Sequence, residues 1–105
     1  MAYAERGMSA PPEVVFNTAT DPDRANAWLP EPLLSASRDG DAERLQARWD
    51  APETQWAADL TVEAGDAGGA RLRLELTGGD QETDRLAEKA LTNLAREVAD
   101  NLQAG

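Results

Sequence analysis

The chain contains neither cysteine nor histidine. Without cysteine it has no disulfide framework and no thiolate chemistry, and without histidine it lacks the side chain best suited to proton transfer near pH 7. No acidic pair has the spacing and the glycine of a Ca²⁺ loop, and no glycine pair leads into the lysine of a phosphate-binding loop. We therefore predict no metal and no cofactor, and an enzyme would depend on Asp, Glu, Tyr3 or Arg6.

Positive charge and long apolar runs are scarce as well. The chain has 10 Lys and Arg against 20 Asp and Glu, and this net charge of −10 argues against a nucleic-acid partner. No run approaches the ~20 apolar residues of a membrane span, and the first residues lack the apolar region of a signal peptide. The sequence therefore predicts a single domain over residues 1–105 that is cytoplasmic and not inserted in a membrane.

The longest periodic stretch lies between Asp80 and Gln103. Its apolar residues recur at intervals of three and four, which places them on one stripe of an α-helix. Asp80 follows two glycines and is suited to cap the first turn. The pattern predicts one unbroken helix over residues 81–102, with a long apolar surface to cover. The stripe consists of Leu86, Ala87, Ala90, Leu91, Leu94, Ala95, Val98 and Leu102.

Apolar and polar residues alternate in three segments in the middle of the chain, over residues 44–49, 55–63 and 70–77. This alternation is typical of antiparallel strands with one buried and one solvated face. A strand over residues 2–8 and a weaker one containing Leu34 and Ala36 bring the expected number of strands to five. Prolines beside two short apolar stretches after the first strand predict two short helices. The predicted fold class is therefore α+β.

The turns determine which residues lie opposite each other on neighbouring strands. Asp39-Gly40 is a two-residue hairpin signal, and longer loops are predicted over residues 51–54 and 65–69. Each loop places apolar residues opposite apolar residues, whereas a slip of one residue would turn a whole strand outward. The predicted opposite pairs are Leu45–Leu60, Ala47–Ala58, Trp49–Trp56 and Leu60–Leu74.

Three short motifs near the start of the chain carry a resemblance to a known family. They are Met8-Ser9-Ala10-Pro11-Pro12-Glu13-Val14-Val15-Phe16, then Thr20-Asp21-Pro22, then Trp28-Leu29-Pro30. With the element order, they resemble the SRPBCC superfamily, which covers START-type, Bet v 1-like and polyketide cyclase/dehydrase proteins. The resemblance implies the helix-grip fold, in which a curved antiparallel sheet holds a long C-terminal helix. Five strands make this chain a shortened member, since six or seven are usual.

The resemblance also implies a hydrophobic ligand, such as a lipid or a polyketide-like molecule, held between the sheet and the C-terminal helix without covalent chemistry. The predicted Ala47–Ala58 pair indicates either a dip that serves as a ligand pocket or a close approach of the helix over a dry core. Two other functions stay open: a protein-interaction module, with a homodimer as one form, and a polyketide cyclase-like enzyme. No catalytic residue is assigned. The predicted cavity-lining residues are Leu45, Ala47, Trp49, Trp56, Ala58, Leu60, Leu74, Leu91 and Leu94.

Overall fold

A five-stranded antiparallel sheet carries two short helices and one long helix in the computed structural model, which describes residues 2–29, 33, 36–41, 43–51, 55–65, 68–78 and 83–104. The strand order across the sheet is β1-β5-β4-β3-β2, so β1 and β2 form its two edges. This is the predicted α+β architecture. In chain order the elements are β1 (Ala2–Met8), α1 (Pro12–Thr20), α2 (Pro22–Trp28), β2 (Ser37–Asp41), β3 (Gln46–Ala51), β4 (Trp56–Ala64), β5 (Ala70–Thr77) and α3 (Thr83–Ala104).

The helix α3 confirms the predicted C-terminal helix, since it runs without a break to Ala104. It packs against β1 and β5, and Leu91 and Leu94 in the middle of its apolar stripe are buried. The stripe is one position shorter than predicted, because Leu102 is 50% exposed. Leu102 lies beyond the last buried position of the helix, beside an open groove at the end of β1. The predicted cap Asp80 lies outside the described residues.

The hairpin of β4 and β5 has the predicted register. Leu60 lies opposite Leu74, and Ala64 lies opposite Ala70, where the two strands turn. In the middle of both strands the inner residues, such as Leu60 and Leu74, are buried, and their outer neighbours are more exposed except for the buried Ala57. The residues that point to the inner face are therefore apolar in both strands of this hairpin, as the alternation predicted.

The predicted register of β3 and β4 is wrong by two residues. Ala51, expected in the loop over 51–54, instead continues β3, where it is buried and lies opposite Trp56. Gln55 takes a left-handed conformation, with φ of 61°, just before β4 begins. A shift of two keeps each side chain on its predicted face but changes its partner. The observed pairs are Ala51–Trp56, Trp49–Ala58 and Ala47–Leu60.

The predicted turn at Asp39-Gly40 is also wrong, because both residues lie inside β2. The turn comes later. The Asp41 carboxylate accepts hydrogen bonds from the backbone N–H groups of Glu43 and Arg44, at 3.1 and 3.3 Å. Leu45 then takes a left-handed conformation, with φ of 55°, before β3 begins. An aspartate whose carboxylate accepts hydrogen bonds from the backbone just after it is itself a turn signal. In this chain the turn forms at Asp41 and not at Asp39-Gly40.

The strand predicted around Leu34 and Ala36 begins later than expected, at Ser37, and Leu34 lies outside the described residues. In β2, Arg38 lies opposite Trp49 of the neighbouring strand. Directly opposite residues of an antiparallel pair point to the same face, so Arg38 is on the face of the sheet that carries the buried Trp49. An inward-facing charge on an edge strand also protects that edge from pairing with other chains.

The two short helices are tied to the sheet and to α3 by specific contacts. The rings of Trp28 and Trp49 meet edge to face, with centroids 5.2 Å apart and an interplanar angle of 83°. The buried indole N–H of Trp28 donates to the backbone carbonyl of Ala19 at 3.2 Å. Arg24 of α2 donates to Glu97 of α3 at 3.3 Å. These contacts hold α1 and α2 over the inner face of the sheet beside α3.

Candidate functional site

The residues predicted to line a cavity between the sheet and the long helix mostly lie in the core. Leu74 and Leu94 are fully buried, and Trp56 and Leu45 are half-buried at its margin. Such packing favours the close approach of the helix over a pocket beneath its middle. The remaining predicted residues are also buried, and they are Ala47, Trp49, Ala58, Leu60 and Leu91.

Trp49 is the predicted residue that lines a groove beside the two short helices. Its ring contacts Trp28 and not Trp56, since the register places Ala58 opposite it on β4. Trp49 is only 3% exposed, yet in the described part of the chain its indole N–H has no hydrogen-bond partner. No fully buried side-chain nitrogen or oxygen of the described residues lacks a hydrogen-bond partner, so the Trp49 indole N–H keeps some exposed surface.

The groove lies between the two short helices and the β2–β3 edge of the sheet, and its volume is about 140 Å³. Its lining includes Ala19 of α1, Ala25 of α2 and Trp49 of β3, and two leucines that follow α2 in the chain. A cavity of about 150 Å³ is enough to hold benzene, so this groove has room for about one aromatic ring. The described lining residues are Ala19, Thr20, Ala25, Asn26, Leu29, Leu33, Ala36, Arg38 and Trp49.

Arg38 is the charged residue at this groove. Five other arginines lie within 4 Å of a carboxylate, as expected in a chain with twice as many acidic as basic residues. Arg38 has no such partner among the described residues, and none of the described lining residues is an aspartate or a glutamate. The paired arginines are Arg24, Arg44, Arg48, Arg71 and Arg73.

Three other grooves are larger and have different chemistry. One of about 700 Å³ covers the polar outer face of the sheet, where Arg48 donates to Asp59 at 2.6 Å. This hydrogen bond and the charge of Asp59 raise the pKa of Arg48. Two grooves of about 270 and 430 Å³ follow the seam between β1 and α3. Tyr3, a candidate catalytic group, lines the groove of about 430 Å³, on the edge strand β1. Its side chain is exposed, and its hydroxyl donates a hydrogen bond to the Glu5 carboxylate.

Neither a metal centre nor a membrane span is evident in the described ranges. They contain no group of three or more Asp or Glu placed to hold an ion together. Their helices include none with the length and apolar content needed to cross a bilayer.

Most of the groove was missed by sequence reasoning. The walls from α1 and α2 meet β2 and β3 only through long-range packing, which local periodicity does not encode. Arg38 had a signal that could have found it, because the alternation through Leu34 and Ala36 places Arg38 on the same face. The hairpin turn assigned to Asp39-Gly40 obscured that signal, since it ended the strand at Arg38.

No protein-family model matches the chain, and no curated protein matches it in sequence. Solved structures do match. TTHA0849 from Thermus thermophilus has a TM-score of 0.77 at 18% identity, over 95% of this chain and 97% of that protein. Ara h 8.0201 has a TM-score of 0.54 at 13% identity, over 98% of both chains.

A third structure relates the chain to one part of a larger protein. The di-domain ARO/CYC StfQ from the steffimycin biosynthetic pathway has a TM-score of 0.73 at 13% identity. The match covers 98% of this chain and 46% of StfQ, so the chain spans about half of that protein. These identities are low, and the agreement is one of fold. The chain has the helix-grip fold, as the resemblance of its opening residues implied.

Proposed function

We propose that the protein binds a small hydrophobic ligand, without covalent chemistry, in the groove between its short helices and the β2–β3 edge of the sheet. The observation that carries this proposal is the groove itself, whose lining includes Trp49, Leu29 and Leu33. Ligand sites are typically concave, mostly apolar and provided with a few polar groups. The polar groups here belong to Thr20, Asn26 and Arg38.

The site differs in place from the one implied by the family resemblance. The space beneath the middle of α3 is filled by core side chains such as Leu94, so the ligand is assigned to the margin of the core. Trp49 is common to the two sites, since it is one of the residues predicted to line the implied cavity and it also lines the groove. The described lining contains no carboxylate, tyrosine or lysine to move a proton, which favours binding over a cyclase-like reaction.

The volume of the groove limits the size of the ligand and its affinity. A ligand of about ten non-hydrogen atoms that gains about 0.5 kcal/mol per atom would bind with about 5 kcal/mol. This corresponds to a dissociation constant of about 0.2 mM. A long acyl chain or a fused-ring polyketide would extend beyond the described walls, so we expect only one ring or a short chain to be enclosed.

The test is a titration with phenylacetamide, a neutral aromatic probe, followed by ¹H–¹⁵N NMR. We expect saturable shifts of the Trp49 indole signal and of backbone amides in α1, α2 and β2. Ala25→Leu should fill the groove and weaken binding at least tenfold. Ala99→Leu is the matched control, because it adds the same atoms at an exposed position of α3. Unchanged binding in Ala25→Leu would show that the probe lies elsewhere.

A further inference from the structure

Two hydrogen-bond donors that lack an acceptor among the described residues flank the apolar groove. Arg38 and Trp49 lie directly opposite each other on β2 and β3, and their side chains share the inner face of the sheet. The indole N–H of Trp49 has no partner in the described part of the chain, and it keeps some exposed surface, because no fully buried polar side-chain atom there lacks a partner. The Arg38 guanidinium, likewise, has no ion pair in the described ranges.

The Arg38 side chain is folded over the inner face of its own strand. A Cβ atom at Gly40 would lie 3.7 Å from Arg38 Nη1 and 3.9 Å from the Phe16 ring. The guanidinium therefore lies along β2, close to Gly40. Arg38 also lines the groove, and its flexible side chain is long enough to bring the guanidinium to a ligand there. Because residue 40 is glycine, no side chain at that position obstructs its movement.

The described residues that line the groove carry one positive charge, on Arg38, and no negative charge. The chain has 20 acidic side chains, but none belongs to the described residues that line the groove. A negatively charged ligand would therefore meet Arg38 at the groove without a carboxylate in its described wall to repel it. A carboxylate accepts hydrogen bonds at both oxygens and suits a pair of neighbouring donors of which one is charged.

We propose that the ligand of this groove is a small carboxylic acid with an aromatic or short acyl body, an inference that rests on the binding function proposed above. The hydrocarbon part packs against Trp49, Leu29 and Leu33. The carboxylate accepts hydrogen bonds from the Arg38 guanidinium and the Trp49 indole N–H. Neutral aromatic molecules of the same shape enter the same groove but bind more weakly, because they leave Arg38 without a charged partner.

The experiment compares phenylacetate with phenylacetamide, which have nearly the same shape and differ in charge. Both are titrated by ¹H–¹⁵N NMR into the wild-type protein, Arg38→Gln and Arg96→Gln. Arg96 is the matched control, since it lies on α3 away from the groove and has no ion pair in the described ranges. We expect phenylacetate to bind the wild type about five- to tenfold more tightly than the amide. Arg38→Gln should abolish this preference, and Arg96→Gln should retain it.

The outcomes separate this inference from the proposed function. Equal binding of both probes, or tighter binding of the amide, would refute the carboxylate preference and leave the hydrophobic site intact. A preference that survives in Arg38→Gln would refute the role of Arg38. If neither probe binds the wild type, both proposals fail. The ¹H–¹⁵N spectrum of ligand-free Arg38→Gln checks the fold of the variant, since amide shifts confined to the neighbourhood of residue 38 show that the groove is intact.

Discussion

Gly78 holds the end of β5 against the turn between β3 and β4, and replacing it should be among the most damaging small changes in this chain. Its φ is +98°, in the left-handed region. A Cβ atom there would lie 2.4 Å from the backbone oxygen of Gln55 and 3.1 Å from the Cα of Trp56. Gly68 provides a control, because its φ is +81° but a Cβ atom would meet nothing within 4 Å.

The two glycines separate conformational strain from steric conflict. An alanine in the left-handed region costs about 1–2 kcal/mol, and the smaller entropy of its unfolded chain returns about 0.4–1 kcal/mol. Gly68→Ala should therefore lower the free energy of unfolding by about 1 kcal/mol. Gly78→Ala carries the same strain and also displaces a backbone carbonyl, which adds about 1–3 kcal/mol of overpacking. We expect its total cost to be about 2–4 kcal/mol.

Urea unfolding of both variants, followed by far-ultraviolet circular dichroism, measures the difference. We expect the midpoint to fall further for Gly78→Ala than for Gly68→Ala while the slope m stays constant. Equal losses of unfolding free energy in the two variants would mean that the backbone at Gln55 moves away from the new methyl group without lowering the stability. The close approach of β5 to the β3–β4 turn would then not constrain this part of the fold.

Two further expectations concern packing and charge. Leu94→Ala should lower the free energy of unfolding by about 2–5 kcal/mol, because Leu94 is fully buried. Leu102→Ala should lower it by about 0.5 kcal/mol or less, because Leu102 is half exposed. Similar losses for the two variants in urea unfolding would contradict the packing of α3. The pKa of Glu5 is lowered, first by the hydrogen bond from the Tyr3 hydroxyl and then by nearby guanidinium groups. The stability it contributes should be present above its unfolded pKa and be lost as the pH falls through the folded pKa. Tyr3→Phe should raise the Glu5 pKa in a carboxyl-carbon NMR titration, and an unchanged pKa would exclude the hydrogen bond as its main cause.

The β4–β5 hairpin was predictable because its alternation and its glycine-containing turn favour the same register. The β3–β4 hairpin was not, because two placements of a four-residue loop keep the same side chains on the inner face. The choice between them depends on Gln55, which takes a left-handed conformation that is uncommon outside glycine, asparagine and aspartate. Alternation alone therefore determined the face of Trp49 but not its partner.

The candidate groove was less predictable than the fold. It depends on where α1 and α2 settle relative to β2 and β3, and on the turn formed by Asp41 instead of Asp39-Gly40. The hydrogen bond that the Asp41 carboxylate accepts from the backbone N–H of Glu43 favours a turn that competes with the nearby Asp39-Gly40 turn signal. Sequence reasoning predicted that Trp49 lines a binding site and lies opposite Trp56, whereas the ring of Trp49 contacts Trp28 in the structure.

The edge-to-face contact of Trp28 and Trp49 gives the protein a built-in optical reporter. Two indoles 5.2 Å apart and almost perpendicular couple their electronic transitions, so their circular dichroism differs from the sum of two isolated rings. One ring belongs to α2 and the other to β3, and the coupled band therefore records whether the helix is seated on the sheet. The band would disappear on separation of the two rings even while α3 kept its helical signal. It allows the docking of α2 to be followed in unlabelled protein.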